Sequence, residues 1–262
     1  MESANNWLIS GFSHLGKSHE VDEIENQDAF AYFSRGDASV LIVSDGAGSA
    51  SAAQKGSQTL VSTLLKTCQD SPASLFENAV SRLPLLSSVI ETGIERARHR
   101  LTREPGLLGS LFGKKASGSL HDFSATLVMV VSNGLESALF HIGDGYAGAS
   151  WFDDDEVLIH QYLSLPQNGQ FDNETYFFTD DDWRLHFRVT VVDAPVNFLF
   201  AMSDGADPFM IAQDRVTLDE RVNSQLYKLM AGPEAPQLDQ IFTKAKVHSV
   251  SHDDSTLLVA RL

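Results

Sequence analysis

Residues 40–49 read Val40-Leu41-Ile42-Val43-Ser44-Asp45-Gly46-Ala47-Gly48-Ser49, an apolar run that ends abruptly at an aspartate followed by small residues. Such a run, closed by Asp-Gly, predicts a buried strand with a carboxylate at its end. A single isolated Asp-Gly is more often an ordinary surface turn. Recurrence of the pattern elsewhere in the chain favours the first interpretation.

The same combination returns at three other places. Two further apolar runs end in Ser203-Asp204-Gly205 and Gly143-Asp144-Gly145, and near the C-terminus Asp253-Asp254 precedes the apolar run 256–260. Antiparallel strands alternate in direction, so carboxylates at these positions reach the same edge of a sheet. We therefore expect all of these acidic side chains to meet at one rim.

Two hairpins are predicted from their turns. A turn centred between Gly36 and Asp37 makes Asp28 the cross-strand partner of Asp45, with Cβ atoms about 4.5–5.5 Å apart. Facing carboxylates repel each other, so this pair needs a cation between them. A second hairpin, turning at Asn133-Gly134, is expected to place Asp144 opposite Phe123.

In chain order the patterns predict strands, two helical regions, many strands, helices and one last strand. This order indicates an α+β fold with a predominantly antiparallel sheet rather than the regular alternation of a doubly wound fold. We expect one domain over residues 1–262, with a mobile loop near 104–119, where Gly, Ser and Lys are frequent.

Composition excludes several classes of protein. The net charge of −16 argues against nucleic-acid binding, which needs clustered Lys and Arg. Cys68 is the single cysteine, so no internal disulfide forms and a reducing compartment is favoured. The N-terminal stretch lacks the features of a signal peptide, and its apolar part is too short for a membrane span. A cytoplasmic protein without membrane contact is expected.

The clustered acids predict a centre for hard divalent cations. Carboxylates, water and a backbone carbonyl such as that of Gly46 are oxygen ligands that suit Mg²⁺ or Mn²⁺. An aspartate shared by two such ions would leave a bridging water acidified for in-line attack on phosphorus. The reaction class predicted is phosphoester hydrolysis.

Other phosphate chemistries fit less well. A cysteine-dependent phosphatase needs an arginine six positions after its thiolate, and Ser74 holds that position after Cys68. The letters of an aspartyl-phosphate motif occur at 153–157, where a hairpin turn is the simpler interpretation. The glycine-bearing stretch 46–57 lacks the Gly-Lys-Ser/Thr of a nucleotide P-loop.

Six short blocks follow one another along nearly the whole chain. They are Asn26-Gln27-Asp28-Ala29, Val43-Ser44-Asp45-Gly46-Ala47-Gly48-Ser49, Phe123-Ser124-Ala125-Thr126-Leu127, His141-Ile142-Gly143-Asp144-Gly145, Met202-Ser203-Asp204-Gly205 and Asp253-Asp254-Ser255-Thr256. In this order they resemble the metal-dependent protein phosphatases of the 2C type (the PPM family), especially bacterial members.

The resemblance implies a four-layer α-β-β-α sandwich of two mainly antiparallel sheets flanked by helices. It implies hydrolysis of phosphoserine and phosphothreonine with two, or three, Mn²⁺ or Mg²⁺ ions, in signalling opposite a cognate Ser/Thr kinase. By position, Asp45 corresponds to the ligand shared by both metals and Gly46 to a carbonyl ligand. Asp204 and Asp253 correspond to the other ligands of the first metal, Asp28 to the acid of the second, and Asp144 to a ligand of a third.

Three features belong to the same resemblance. Many relatives carry a phosphate-gripping arginine where this chain has Glu23, so His19 or Lys17 in the preceding loop is expected to supply the positive charge. Asp254 stands where the family usually has Asn, and a supporting rather than ligating role is implied. Residues 166–183 are similar to the family's variable flap.

The acidic Glu23 leaves a second hypothesis open. A catalytically weak or inactive module of this type would bind phosphorylated partners or metal without turning substrate over. Tight phosphopeptide binding without turnover would distinguish this module from an active phosphatase.

Overall fold

The computed structural model describes residues 7–103, 119–167, 175–231 and 237–262. Two five-stranded antiparallel sheets form its centre, with strand orders β1-β10-β9-β6-β7 and β2-β3-β4-β5-β8. The strands are β1 Leu8–His14, β2 Ala29–Arg35, β3 Ala38–Ser44, β4 Leu127–Ser132, β5 Ser137–Ile142, β6 Tyr146–Phe152, β7 Leu158–Ser164, β8 Arg188–Val192, β9 Phe198–Met202 and β10 Ser255–Arg261.

Helices cover the outer faces of the sheets. The α-helices are α1 Lys17–Val21, α2 Ala53–Gln69, α3 Ala73–Phe76, α4 Leu83–Thr102, α5 Trp183–His186, α6 Asp207–Met210, α7 Glu220–Leu229, α8 Leu238–Ile241 and α9 Lys244–Val247. Short 3₁₀ turns occur at Leu120–Phe123 and Asp204–Ala206.

Strand β3 explains the layered packing. Successive strand residues point to opposite faces, so Val40 and Ile42 join the apolar cluster under α2 and α4, while Leu41 and Val43 join the cluster between the sheets. A third cluster fills the space between the other sheet and α7 to α9. Three apolar layers between four structural layers confirm the predicted four-layer α-β-β-α sandwich.

The first hairpin has the predicted register. Ala29 pairs with Ser44 and Arg35 with Ala38, so that Asp28 and Asp45 continue the ladder as facing positions. Gly36 takes a φ of 62° in the turn, a left-handed conformation that glycine adopts without steric cost. The tight turn thereby fixes which two carboxylates face each other.

The predicted register of the second hairpin was wrong by two residues. Leu127 pairs with Ile142, and continuing this register places Asp144 opposite Ala125 rather than Phe123. The turn is longer than Asn133-Gly134, because the Asn133 Oδ1 accepts hydrogen bonds of 2.8 Å from both Leu135 N and Glu136 N. A side chain that satisfies two backbone donors stabilises the longer loop.

Two predicted surface segments fall partly outside the described chain. Residues 104–118 of the predicted mobile loop, and residues 168–174 of the predicted flap, lie outside the described residues. Phe178 and Trp183, at the C-terminal part of the flap range, are fully buried against α4 and the adjoining sheet. In the described residues, no helix has the length and hydropathy needed to cross a bilayer.

Replacing Gly56 by Ala is expected to destabilise the fold, although Ala normally favours a helix interior by about 1 kcal/mol over Gly. A Cβ at this position in α2 would lie 2.0 Å from the carbonyl oxygen of Phe123. Overpacking of this kind costs about 1–3 kcal/mol. Urea unfolding should show the loss, whereas Gly48→Ala, whose Cβ would meet nothing within 4 Å, should be nearly neutral.

Candidate metal centre

The structure brings the predicted carboxylates together at one rim of the sandwich. Each acid lies at a strand end or in the connection beside it, and four of them line a single cleft of about 510 Å³. The four are Asp45, Asp144, Asp204 and Asp253. Asp28 lies beneath them and is 6% exposed.

Asp45 is the centre of the cluster. Its carboxyl group lies within hydrogen-bonding reach of both Asp28 and Asp204. Ser203 Oγ donates a 2.8 Å hydrogen bond to Asp28 Oδ2, but Asp28 Oδ1 and Asp204 Oδ1 are buried without a hydrogen-bond partner among the described residues. Buried carboxylate oxygens in this position require a proton or a cation.

The electrostatics of the cluster agree with its geometry. Burial, with like charges contributing, raises the pKa of Asp28 to about 7 and that of Asp204 to about 6. Burial and the charges of Asp28, Asp204 and Asp144 raise the pKa of Asp45 well above its usual value. Burial also raises the pKa of Asp144. The cluster therefore resists carrying several negative charges unless a cation compensates them.

The donor set has the chemistry of a hard-cation site. It consists of carboxylate oxygens, two of them without a hydrogen-bond partner, and this set suits Mg²⁺ or Mn²⁺. Over the described ranges, however, no three acidic, histidine or cysteine side chains already surround one point as a set of ligands. The residues fit a divalent ion by donor type and burial, and the carboxyl groups of Asp28 and Asp204 both contact that of Asp45.

Gly46 places its backbone beside these carboxylates. It forms an isolated bridge with Ala125, in which Ala47 N donates to Ser124 O and Thr126 N donates to Asp45 O. This pairing does not use the Gly46 carbonyl. A Cβ on Gly46 would lie 2.7 Å from the Gln27 carbonyl oxygen and 2.9 Å from Ala53 Cβ, so a larger residue would force the backbone to shift.

Asp254 ties the loops around the cluster together. Its two oxygens accept hydrogen bonds of 2.6 Å from Gly16 N and Gln27 N, and the residue is 2% exposed. His19 Nδ1 lies 3.0 Å from Asp254 Oδ2, outside hydrogen-bonding geometry. Asp254 thus fixes the segment that leads into Asp28.

Asp254→Asn is expected to lower the free energy of unfolding by about 1–3 kcal/mol, the cost of an unsatisfied buried donor. Both oxygens accept from backbone N–H groups, and an amide offers only one acceptor oxygen. The measurement is urea unfolding, with Asp193→Asn at an exposed position as the control. Equal stability of the two variants would show that the paired acceptors are unimportant.

The predicted substrate residues are placed differently from each other. His19, on α1, lines the cleft beside Ser18. Lys17 is exposed on the same helix and is not among the residues that line the cleft. Glu23 is also exposed and has a φ of 55°. Of these residues, His19 is therefore the one in reach of a group bound in the cleft.

Hydroxyl partners of the acids were not anticipated from the sequence. Ser203 Oγ holds Asp28, and Thr175 Oγ1 donates to Asp144 Oδ2 from the described end of the flap range. The serine of the repeated Ser-Asp-Gly pattern was an available signal. In the other copy, however, Ser44 Oγ donates to the Thr126 carbonyl oxygen at 2.7 Å. The serine of the pattern therefore has a different role in each copy.

Comparisons with known proteins agree with this geometry. The family model described as protein phosphatase 2C matches residues 15–245. A search of curated protein sequences finds no match.

Solved structures share the fold at low identity. PppA, described as a key regulatory component of T6SS in Pseudomonas aeruginosa, is 18% identical, with 98% of both chains covered and a TM-score of 0.63. A serine/threonine phosphatase of S. agalactiae is 14% identical, with 98% of this chain and 100% of that chain covered and a TM-score of 0.63. The catalytic domain of PstP, solved with two manganese ions, is 14% identical, with 97% of both chains covered and a TM-score of 0.59.

Proposed function

The chain belongs to the protein phosphatase 2C family, and on that premise we propose that its carboxylate cluster is the centre at which phosphoserine and phosphothreonine are hydrolysed. The protein is a metal-dependent serine/threonine phosphatase. Mn²⁺ or Mg²⁺ is its cofactor, in keeping with the two manganese ions of the related PstP domain. All acidic positions expected of an active member are present, which favours an active enzyme over the inactive alternative.

Each residue of the cluster has a proposed role. Asp45 would hold two ions, together with the Gly46 carbonyl. Asp204 and Asp253 would be further ligands of the first ion, and Asp28 would hold the second. Asp144, which accepts a hydrogen bond from Thr175, would hold a third ion. When bound, the ions supply the Lewis acidity that activates water for in-line attack on phosphorus.

One observation carries this proposal. Asp28 Oδ1 and Asp204 Oδ1 are buried without a partner on either side of Asp45, while burial raises the pKa of all three acids. An arrangement of this kind lowers the stability of the chain alone and is typical of a site built for a ligand.

The surrounding residues hold this arrangement in place. Ser203 and Thr175 orient two of the carboxylates by donating to them, and Asp254 anchors the segment before Asp28. His19 is the residue proposed to meet the substrate phosphate in the cleft. These neighbours leave the acids little freedom to move away from one another.

The cellular setting is a further proposal. The single cysteine, Cys68, is buried and free, so the fold does not depend on a disulfide or on an oxidising compartment. We place the enzyme in the cytoplasm. There it would act in signalling by removing phosphate from proteins that a Ser/Thr kinase has phosphorylated. The related PppA, a regulatory component, supports a signalling role.

The direct test is hydrolysis of a phosphopeptide panel by the full chain with Mn²⁺, with Mg²⁺ and with EDTA. Phosphoserine and phosphothreonine peptides should release phosphate only when a divalent ion is present, and p-nitrophenyl phosphate should behave in the same way. Tight binding of phosphopeptides with no release at saturating Mn²⁺ would instead select the inactive module.

A further inference from the structure

A second cavity of about 330 Å³ adjoins the cleft of the metal centre. Asp144, Asp204 and Asp253 line both cavities and form the wall between them. Asp45 lines only the first cavity, and Arg215 lines only the second. A peptide whose phosphate lies at Asp45 would therefore place a neighbouring residue, not the phosphate itself, at Arg215.

Arg215 differs in charge from everything around it. Among the described residues that line the two cavities, it is the only Lys or Arg, and the other basic groups are His19 and His252. The net charge of −16 repels negatively charged peptides in general. A permanent positive charge at this place supplies a local attraction that the rest of the cleft lacks.

The chain around Arg215 is built to hold it there. Arg215 has a φ of 59°, a left-handed conformation that is strained for a non-glycine residue. Asp214 stabilises this turn, because its side chain accepts hydrogen bonds from Val216 N, Thr217 N and Thr217 Oγ1. Strain that the surrounding contacts preserve is typical of functional positions.

The guanidinium group is held on one side only. Its Nη2 lies 3.2 Å from Asp207 Oδ2, and Asp207 is also in the wall of the second cavity. The Arg215 side chain is 76% exposed, so the donors not used by Asp207 remain available to a ligand. A planar guanidinium fixed in this way suits bidentate binding of a carboxylate or phosphate.

We propose that Arg215 is a specificity-determining residue that binds an anionic group next to the phosphorylated residue of the substrate. This inference rests on the proposed phosphatase function and names its substrate class: phosphopeptides with an acidic side chain or a second phosphate beside the scissile one. Neutral neighbours of other phosphopeptides gain nothing from Arg215, and basic neighbours are repelled by its positive charge.

The test uses one phosphothreonine peptide with Glu, phosphoserine, Ala or Lys at the neighbouring positions. With Mn²⁺, the wild type should show a kcat/KM about fivefold higher for the anionic neighbours than for Ala, mainly through KM, as expected for one partly exposed ion pair. The Glu and phosphoserine peptides distinguish a carboxylate from a second phosphate. Peptides carrying a non-hydrolysable phosphonate should show the same order in fluorescence anisotropy.

Variants separate the role of Arg215 from a general effect of charge. Arg215→Lys should keep part of the preference, Arg215→Gln should remove it, and Arg215→Glu should reverse it towards the Lys peptide. Arg221→Glu, on the exposed side of α7, makes the same change in net charge away from the cavities and should keep the wild-type order.

Two results would overturn the inference. An order of peptides unchanged in Arg215→Glu would show that Arg215 does not contact the substrate, and an equal change in Arg221→Glu would show only long-range electrostatics. If no peptide is hydrolysed, the proposed function fails, and the anisotropy of the phosphonate peptides still decides whether Arg215 selects anions.

Discussion

Asp45→Asn is expected to abolish Mn²⁺-dependent hydrolysis and, in EDTA, to raise the melting temperature. Loss of the proposed shared ligand removes several kcal/mol of charge stabilisation, which corresponds to a decrease in kcat of about 10³-fold. The same change removes an acid whose pKa is raised well above its usual value by burial and by neighbouring charges. Activity and stability should therefore move in opposite directions.

The gain in stability should depend on pH in one direction. A raised folded-state pKa means that the acid stabilises the fold only below its unfolded pKa, and that stability is lost as pH rises. The advantage of Asp45→Asn should therefore be large at pH 8 and vanish near pH 4. Asp193→Asn, at an exposed position, is the control and should change neither property. A destabilised Asp45→Asn protein that still turns over substrate would contradict both parts.

The wild-type protein is expected to lose stability in EDTA as pH rises from about 4 to about 7. Asp28 and Asp204 have pKa values raised from 3.8 to about 7 and about 6. Between the unfolded and folded values the folded chain binds more protons, so the free energy of unfolding falls with pH. The loss attributable to Asp28 is on the order of a few kcal/mol, and it should be absent from Asp28→Asn.

Mn²⁺ should reverse this loss above pH 7. A single site at 100 times its Kd contributes about 2.7 kcal/mol, which raises the melting temperature of a chain of this size by about 5–10 °C. Thermal unfolding with and without Mn²⁺, in the wild type and in Asp28→Asn, gives the comparison. Stability in EDTA that increases across this pH range, or no response to Mn²⁺ at pH 8, would count against a cation site.

The sequence predicted those parts of the fold that depend on local patterns. The register in which Asp28 faces Asp45 was predicted from the position of a two-residue turn, and the structure has the same pairing. The same arithmetic failed for the second hairpin, because the Asn133 side chain binds two backbone donors and lengthens the loop. Turn geometry is thus predictable only where side chains do not compete for the backbone.

The sequence predicted that the acidic residues of the candidate site lie together, but it did not predict the hydrogen-bond partners that hold them. Carboxylates at strand ends can be recognised in the sequence because the same pattern recurs along the chain. The backbone donors that fix Asp254, and the hydroxyl of Thr175 on Asp144, come from segments far away in sequence. Their roles depend on tertiary packing, which no local pattern records. Arg215 was missed for the same reason, since its position matters only once the second cavity exists.

Crystals soaked in Mn²⁺, with anomalous scattering recorded at the manganese edge, test the central claim most directly. We predict at least two manganese peaks in the cleft, about 3.5–4 Å apart, with an oxygen of Asp45 between them and Asp28, Asp204 and Asp253 around them. Manganese bound only at other acidic surfaces, with the carboxyl groups of Asp28, Asp45 and Asp204 still facing one another, would contradict it.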